Sequence, residues 1–224
     1  MKRILFALLL VLVALGVLLW RFPASAMLAF VPTKALQSLA PHLSMHELDG
    51  TLWRGRVRLT AAAIPSTLSL QWDCAPKPLS LSIECALSES VSGRVTISPS
   101  SQSLNVADLK SVVPLRFVAP GSTVISSDAV SIAVASAEFA NTKAKVTATL
   151  TASNATSQTG STALPLGEVS VDCAPIDSAP ASRCTLRNRN AENRVDGDIE
   201  FGPQRATGSV VFTPSGGSAQ RMSF

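Results

Sequence analysis

Tyrosine is missing from the chain altogether, and the other aromatics are scarce, with eight phenylalanines and three tryptophans. Without tyrosine the body lacks the aromatic girdles of an outer-membrane barrel, so the terminal Phe224 fits a C-terminal core strand better than a barrel signature. Histidine is nearly missing too. His42 and His46 have the i, i+4 spacing that suits metal on a helix, but Pro41 and the strand-like residues 43–48 argue against a helix. A solvated pair is expected, and no metal ligand is assigned. There is no G-x-S-x-G, no phosphate-binding glycine loop and no H-E-x-x-H. The nearest carboxylate pair, Glu47 with Asp49, reads as part of a turn before Gly50, where acidic side chains cap backbone N–H groups. These absences leave no catalytic residue and no cofactor to assign. Charge is sparse as well: the net +4 comes from scattered lysines and arginines without a dense basic run or interleaved aromatics, which excludes a nucleic-acid groove.

What is present begins with a greasy amino terminus. Lys2 and Arg3 precede an unbroken apolar run over residues 4–20, at the short end of the ~17 to 25 residues that span a bilayer. Ala24-Ser25-Ala26 offers an A-x-A cleavage pattern. The run is longer than the ~7 to 15 apolar residues of a cleaved signal and closes with Trp20 and Arg21, which suit an interface, so retention as a single transmembrane helix is expected. The basic tip then stays in the cytoplasm and the body lies outside. Met27, Leu28, Phe30, Val31, Leu36 and Leu39, broken by Pro32, form an amphipathic element against the membrane or the sheet.

From residue 43 onward the period is two, and serine, threonine, alanine and valine dominate, which suits sheets of small side chains. Strands are expected within residues 52–59, 68–74, 79–87, 91–97, 112–118, 124–135, 145–150, 169–173, 195–201 and 209–213, with no long helical pattern after residue 40. Consecutive strands without crossover segments predict antiparallel pairing. The fold class is therefore all-β, a single transmembrane helix followed by a duplicated, mostly antiparallel, two-lobed sheet. The organisation reads 1–22 as tip and transmembrane helix, 23–42 as membrane-proximal linker, 43–118 as first lobe and 119–224 as second.

The duplication is visible in the letters. D-C-A-P occurs at Asp73 and again at Asp172, and each copy meets a second cysteine at the same distance, Cys85 after Cys74 and Cys184 after Cys173. Beyond them, residues 91–99 and 195–203 share V-x-G-x-[VI]-x-[IF]-x-P. In the second copy the residues between the cysteines, 174–183, are polar and read as a loop, so the two cysteines face each other across a hairpin. In the first, Leu79, Leu81 and Ile83 read as strand and would shift that register. Four cysteines admit three pairings; the repeat favours the one within each copy, and cysteines in spaced pairs fit an oxidising compartment.

Arg54, Arg56 and Arg58 fall on one face of one strand, either a solvated exterior or a candidate interaction face for lipid phosphates or an acidic partner. Trp53 and Trp72 read as core residues.

The stretch Gly50-Thr51-Leu52-Trp53-Arg54-Gly55 resembles the G-T-[LV]-W-x-G motif of the type II secretion system protein N family. Its setting is similar to the family pattern too: an apolar segment, Pro23-Ala24, Val31-Pro32, and a strand with Trp72 and a following Pro76. Gly93 matches a glycine-bearing strand, and residues 164–167 (L-P-L-G) match the second half more loosely. The cysteine pairs depart from the family's aliphatic positions, which marks a divergent member. The resemblance implies a non-enzymatic inner-membrane accessory with a periplasmic body. Its implied partners are other inner-membrane platform components and secreted proteins. The alternative is an anchored lipid-binding or lipid-transfer groove, in which a curved sheet of small apolar side chains shields acyl chains.

Overall fold

A computed structural model describes residues 23–24, 43–61, 63–119, 123–159, 162–189, 192–203 and 205–223. The expected transmembrane helix and nearly all of the linker after it lie outside the described residues, as does His42. Among the described residues no helix is long and apolar enough to cross a membrane.

The described chain is all-β. Thirteen strands follow one another: β1 (Leu43–Gly50), β2 (Arg54–Ala61), β3 (Ile64–Lys77), β4 (Ser82–Glu89), β5 (Val91–Ser98), β6 (Ser103–Ala119), β7 (Thr123–Ala140), β8 (Lys143–Thr159), β9 (Thr162–Pro175), β10 (Ser182–Asn188), β11 (Arg194–Phe201), β12 (Ala206–Thr213) and β13 (Gln220–Ser223). Each pairs antiparallel with its neighbours in sequence, giving one meander from β1 to β13. The residue-118 boundary expected from the sequence falls at the β6–β7 turn, and the sheet continues across it from Leu104↔Phe139 to Ala119↔Thr123.

Four strands in the middle, β6 to β9, are 14 to 18 residues long, well beyond the segments that alternation marked. Bulges bend these strands, and in β8 and β9 they explain the difference. Pro114 sits where the β6–β7 register shifts between Val113 and Leu115, so its missing N–H removes no ladder bond. Asn154 at φ 52, Pro165 and Gly167 at φ 70 gather at one irregularity of the β8–β9 ladder. The last three look like turn signals in the sequence, yet they bend a strand without ending it.

The β4–β5 hairpin is short and fills only part of the gap between β3 and β6. At its turn, Ser90 N–H donates to Ser69 O (2.9 Å) while the Ser111 hydroxyl donates to Ser90 O (2.8 Å). Past it, Arg116 N–H on β6 reaches Ala63 O at the β2–β3 turn (2.7 Å). Burial follows composition: Ala137, Ala144, Ala148 and Ala155 are buried together with Val113 and Val130. A cluster of Ala155, Leu166 and Val195, flanked by Val169, Leu186, Val210 and Phe212, forms a core in the second half.

Two sequence expectations are corrected. Leu79 and Leu81 are not strand residues: β4 starts at Ser82, and both leucines are exposed at the β3–β4 tip. Pro78 and the turn hydrogen bonds Ser80 N–H to Lys77 O (3.2 Å) and Leu81 N–H to Pro78 O (3.4 Å) end the alternation there. Glu47 and Asp49 belong to β1 and not to a turn. Phe224 lies outside the described residues; before it, β13 pairs with β12 and is a terminal strand of the described sheet.

Candidate functional site

The two D-C-A-P copies occupy the same place in the sheet. Cys74 stands directly opposite Cys85 in the β3–β4 ladder and Cys173 directly opposite Cys184 in the β9–β10 ladder. Both pairs are joined, with S–S distances of 2.06 and 2.08 Å and Cα atoms 3.9 Å apart. That is the close spacing of a pair that exchanges no ladder hydrogen bonds. The equivalence extends to the next strand. Cys85 faces Val95 and Leu87 faces Gly93, just as Cys184 faces Ile199 and Leu186 faces Gly197. Both glycines press on the strand that follows: a Cβ on Gly93 would lie 2.6 Å from the Leu109 Cα, and one on Gly197 3.0 Å from the Val210 side chain. The repeated letters thus record a repeated register, offset by six strands.

Residues 50–55 and the first D-C-A-P form one joint. Gly50 ends β1 at φ 104, and the turn that follows is closed by Thr51 N–H donating to Arg54 O (2.8 Å) and Arg54 N–H donating to the Thr51 hydroxyl (3.2 Å). Leu52 and Trp53 therefore lie in the turn, and β2 begins at Arg54. The half-buried Trp72 lies over Gly55, its indole N–H shared between Leu52 O (3.2 Å) and Thr51 O (3.3 Å). Only a glycine fits beneath it, since a Cβ at 55 would lie 2.4 Å from the ring and 2.5 Å from Asp49 O. Cys74 N–H donates to Trp53 O (2.5 Å), tying the turn to the first bridge. An open cavity of about 610 Å³ lies at this joint, lined by Thr51, Trp53, Arg54, Asp73, Ala75 and Pro76. Pro23 pairs with Thr51 at its rim. The separate sequence assignments of Trp53 and Trp72 missed this coupling, because the β2–β3 register that makes it is not local.

The arginine face is exposed and charge-balanced. Arg54 pairs with Asp73 (2.7 Å), Arg56 with Asp49 (3.5 Å) and Arg58 with Glu47 (2.6 Å). A bulge in β1 makes this arrangement. His46 faces Arg58 and Asp49 faces Arg56, so one extra residue, with Glu47 at φ 49, puts side chains three apart on one face. His46 Nε2 contacts the Thr60 hydroxyl at 3.2 Å. On β4, the Glu84 carboxyl is held below its ordinary range, chiefly by its hydrogen bond to Lys77.

In the second half, polar side chains join segments together. Ser182 is completely buried; its hydroxyl accepts from Val146 N–H (2.7 Å) and donates to Ala144 O (3.1 Å). Asn193, nearly as buried, donates to Pro165 O (3.0 Å) and accepts from Ser215 N–H (3.2 Å). Among the described residues no group of three or more histidine, cysteine or carboxylate side chains is placed to hold a metal ion.

A family model described as type II secretion system (T2SS), protein N matches residues 41–214, a span that contains both cystine units and the Trp72 joint. Searches of curated proteins and of solved structures return no significant match. The chain belongs to the type II secretion system protein N family. That family is an accessory component of the secretion system and not one known for enzymes. Membership implies interaction with other components of the system and suggests an envelope-associated protein.

Proposed function

We propose that this protein is a non-enzymatic scaffold of the type II secretion machinery, held in the bacterial inner membrane by residues 4–20 with its sheet in the periplasm. The family match over residues 41–214 carries the reading. Two cystines suit an oxidising compartment, and the basic tip before the apolar run favours a cytoplasmic amino terminus.

On this reading the protein works by contact. Its partners are inner-membrane platform components and, through them, secreted proteins. The two lobes, 43–118 and 119–224, each carry one clamped hairpin, and the charge-balanced Arg54, Arg56 and Arg58 face is one surface for them. β1 and β13 are the terminal strands of the described sheet, and terminal strands accept partners by strand addition. The family assignment lends no support to the lipid-handling alternative.

The test is a deletion in the organism of origin. Exoproteins should accumulate in the periplasm and return to the medium when the full chain is supplied again. Unchanged secretion in the deletion strain would refute the proposal.

A further inference from the structure

One turn is built twice in the first half of the sheet. Lys77 to Ser82 reads K-P-L-S-L-S and joins β3 to β4; Ser98 to Ser103 reads S-P-S-S-Q-S and joins β5 to β6. In both, the amide of the last loop residue donates to the proline carbonyl, Leu81 to Pro78 (3.4 Å) and Gln102 to Pro99 (3.3 Å). In both, the loop serine donates to the carbonyl before the proline, Ser80 to Lys77 and Ser101 to Ser98, at 3.4 Å. It also meets the serine that opens the next strand, Ser82 at 2.6 Å and Ser103 at 2.7 Å. Leu81 and Gln102 even share φ 48.

The second tip is an internal control for the first. Where it carries Ser100 and Gln102, the first carries Leu79 and Leu81, so the turn geometry makes no demand for leucine. Leu79 is fully exposed and Leu81 is 72% exposed. A left-handed backbone disfavours a bulky residue such as Leu81, and here no core burial offsets it. The Cys74–Cys85 bridge at the base keeps the hairpin stiff.

Position identifies what the leucines meet. The tip projects from the end of the sheet that also holds the β1–β2 turn, where Pro23 pairs with Thr51. Asp73 lies opposite Arg54 beside that turn, and β3 runs four residues further to Lys77, about 14 Å at ~3.4 Å per residue. Pro23 follows Trp20 by three residues, which span at most about 10 Å. The tip thus projects at least as far beyond the β1–β2 turn as three residues of chain can separate Pro23 from the end of the apolar run. Ile97 and Leu104, paired with each other, and Phe201 are also exposed at this end of the sheet.

We infer that the β3–β4 tip is a membrane-contact finger, whose Leu79 and Leu81 enter the phospholipid leaflet from which the chain emerges. This rests on the anchoring by residues 4–20 proposed above. Lys77 is paired with Glu84, so the finger is apolar and uncharged and needs no anionic lipid.

The full chain in phosphatidylcholine vesicles carrying a photoactivatable phospholipid tests the inference by peptide mapping. Label is expected on residues 4–20 and at Leu79 and Leu81 of the first tip, and not at Ser100 and Gln102 of the second. The double variant Leu79→Ser, Leu81→Gln, which copies the second tip, should lower tip labelling to background. Label on residues 4–20 without the tip would overturn the finger and leave the anchor standing. Label on neither would overturn both. Tip labelling that survives the double variant would also overturn the role given to the leucines.

Discussion

Gly55→Ala is the most direct perturbation of the joint between residues 50–55 and Trp72. A methyl group there would lie 2.4 Å from the Trp72 ring and 2.5 Å from Asp49 O, each about 1 Å inside a normal contact of ~3.5 Å. The ring can slide away, but its N–H then leaves Leu52 O and Thr51 O; the Asp49 carbonyl is backbone and cannot move without disturbing β1. Overpacking costs about 1–3 kcal/mol and a lost half-buried hydrogen bond about 1 more, so a loss of about 3 kcal/mol is expected. Urea unfolding of the full chain in mild detergent, followed by tryptophan emission, should show the midpoint falling by roughly 1.5 M at a slope near ~2 kcal/mol/M. Combining the change with Trp72→Leu separates the two clashes, because only the ring is relieved. Less than half of the loss should return in this cycle. A Gly55→Ala protein within about 0.5 kcal/mol of the parent, the range of a neutral surface change, would refute the joint as described.

Three further outcomes follow from the same geometry. Replacing Cys74 and Cys85 together by serine, or Cys173 and Cys184 together, should cost about 3 kcal/mol in either case, because both bridges close loops with a sequence separation of 11; unequal urea midpoints for the two double variants would contradict this. Ser182→Ala strands the part-buried Val146 N–H and should cost about 1–3 kcal/mol, with faster hydrogen exchange at Val146 as the local readout. Glu84 has a lowered folded-state pKa, so its contribution is present above the ordinary glutamate pKa and fades as pH falls through the lower folded value. Glu84→Gln should therefore flatten that part of the acid unfolding curve, and an identical acid limb would argue against the Lys77 pairing.

The sequence makes some of this legible and hides the rest for physical reasons. Alternation marks half-buried strands wherever one face is covered, and most of the expected strands contain or overlap observed ones. It understates β8 and β9 because Asn154, Pro165 and Gly167 are indistinguishable from turn residues until the facing strand absorbs the extra residues as a bulge. The repeat is a stronger signal than the local pattern. It favours Cys85 opposite Cys74 where Leu79, Leu81 and Ile83 would slide that register, and in the structure Leu79 and Leu81 belong to the tip while Ile83 faces Pro76. The arginine face was visible as alternation in β2, but its pairing was not, since the β1 bulge sets the direction of Glu47 and Asp49 and the β2–β3 register brings Asp73 opposite Arg54. The likeness between K-P-L-S-L-S and S-P-S-S-Q-S was present in the letters as well. Two apolar residues at alternating positions masked it, because a leucine in a tip and a leucine in a strand look alike along a single chain.

The two clamped hairpins also separate what the bridge does from what the loop does. In the first, the residues beyond the bridge project away, with Leu79 and Leu81 exposed. In the second, the loop folds back on the sheet: Ile176 N–H donates to Ala181 O (3.0 Å), Ala144 N–H donates to Pro180 O (2.9 Å), and Ala181 and Ser182 are buried. The same cystine in the same register thus closes one loop that packs inward and one that points outward. A bridge needed only to hold a projecting tip would have no purpose in the second copy, and one needed only to hold a packed loop would have none in the first. What both copies share is the ladder around the cystine, where a slip of one residue would turn every side chain of a long antiparallel sheet to the wrong face. The bridges are therefore register pins, and the differences in surface between the halves reside in the loops they leave free to vary.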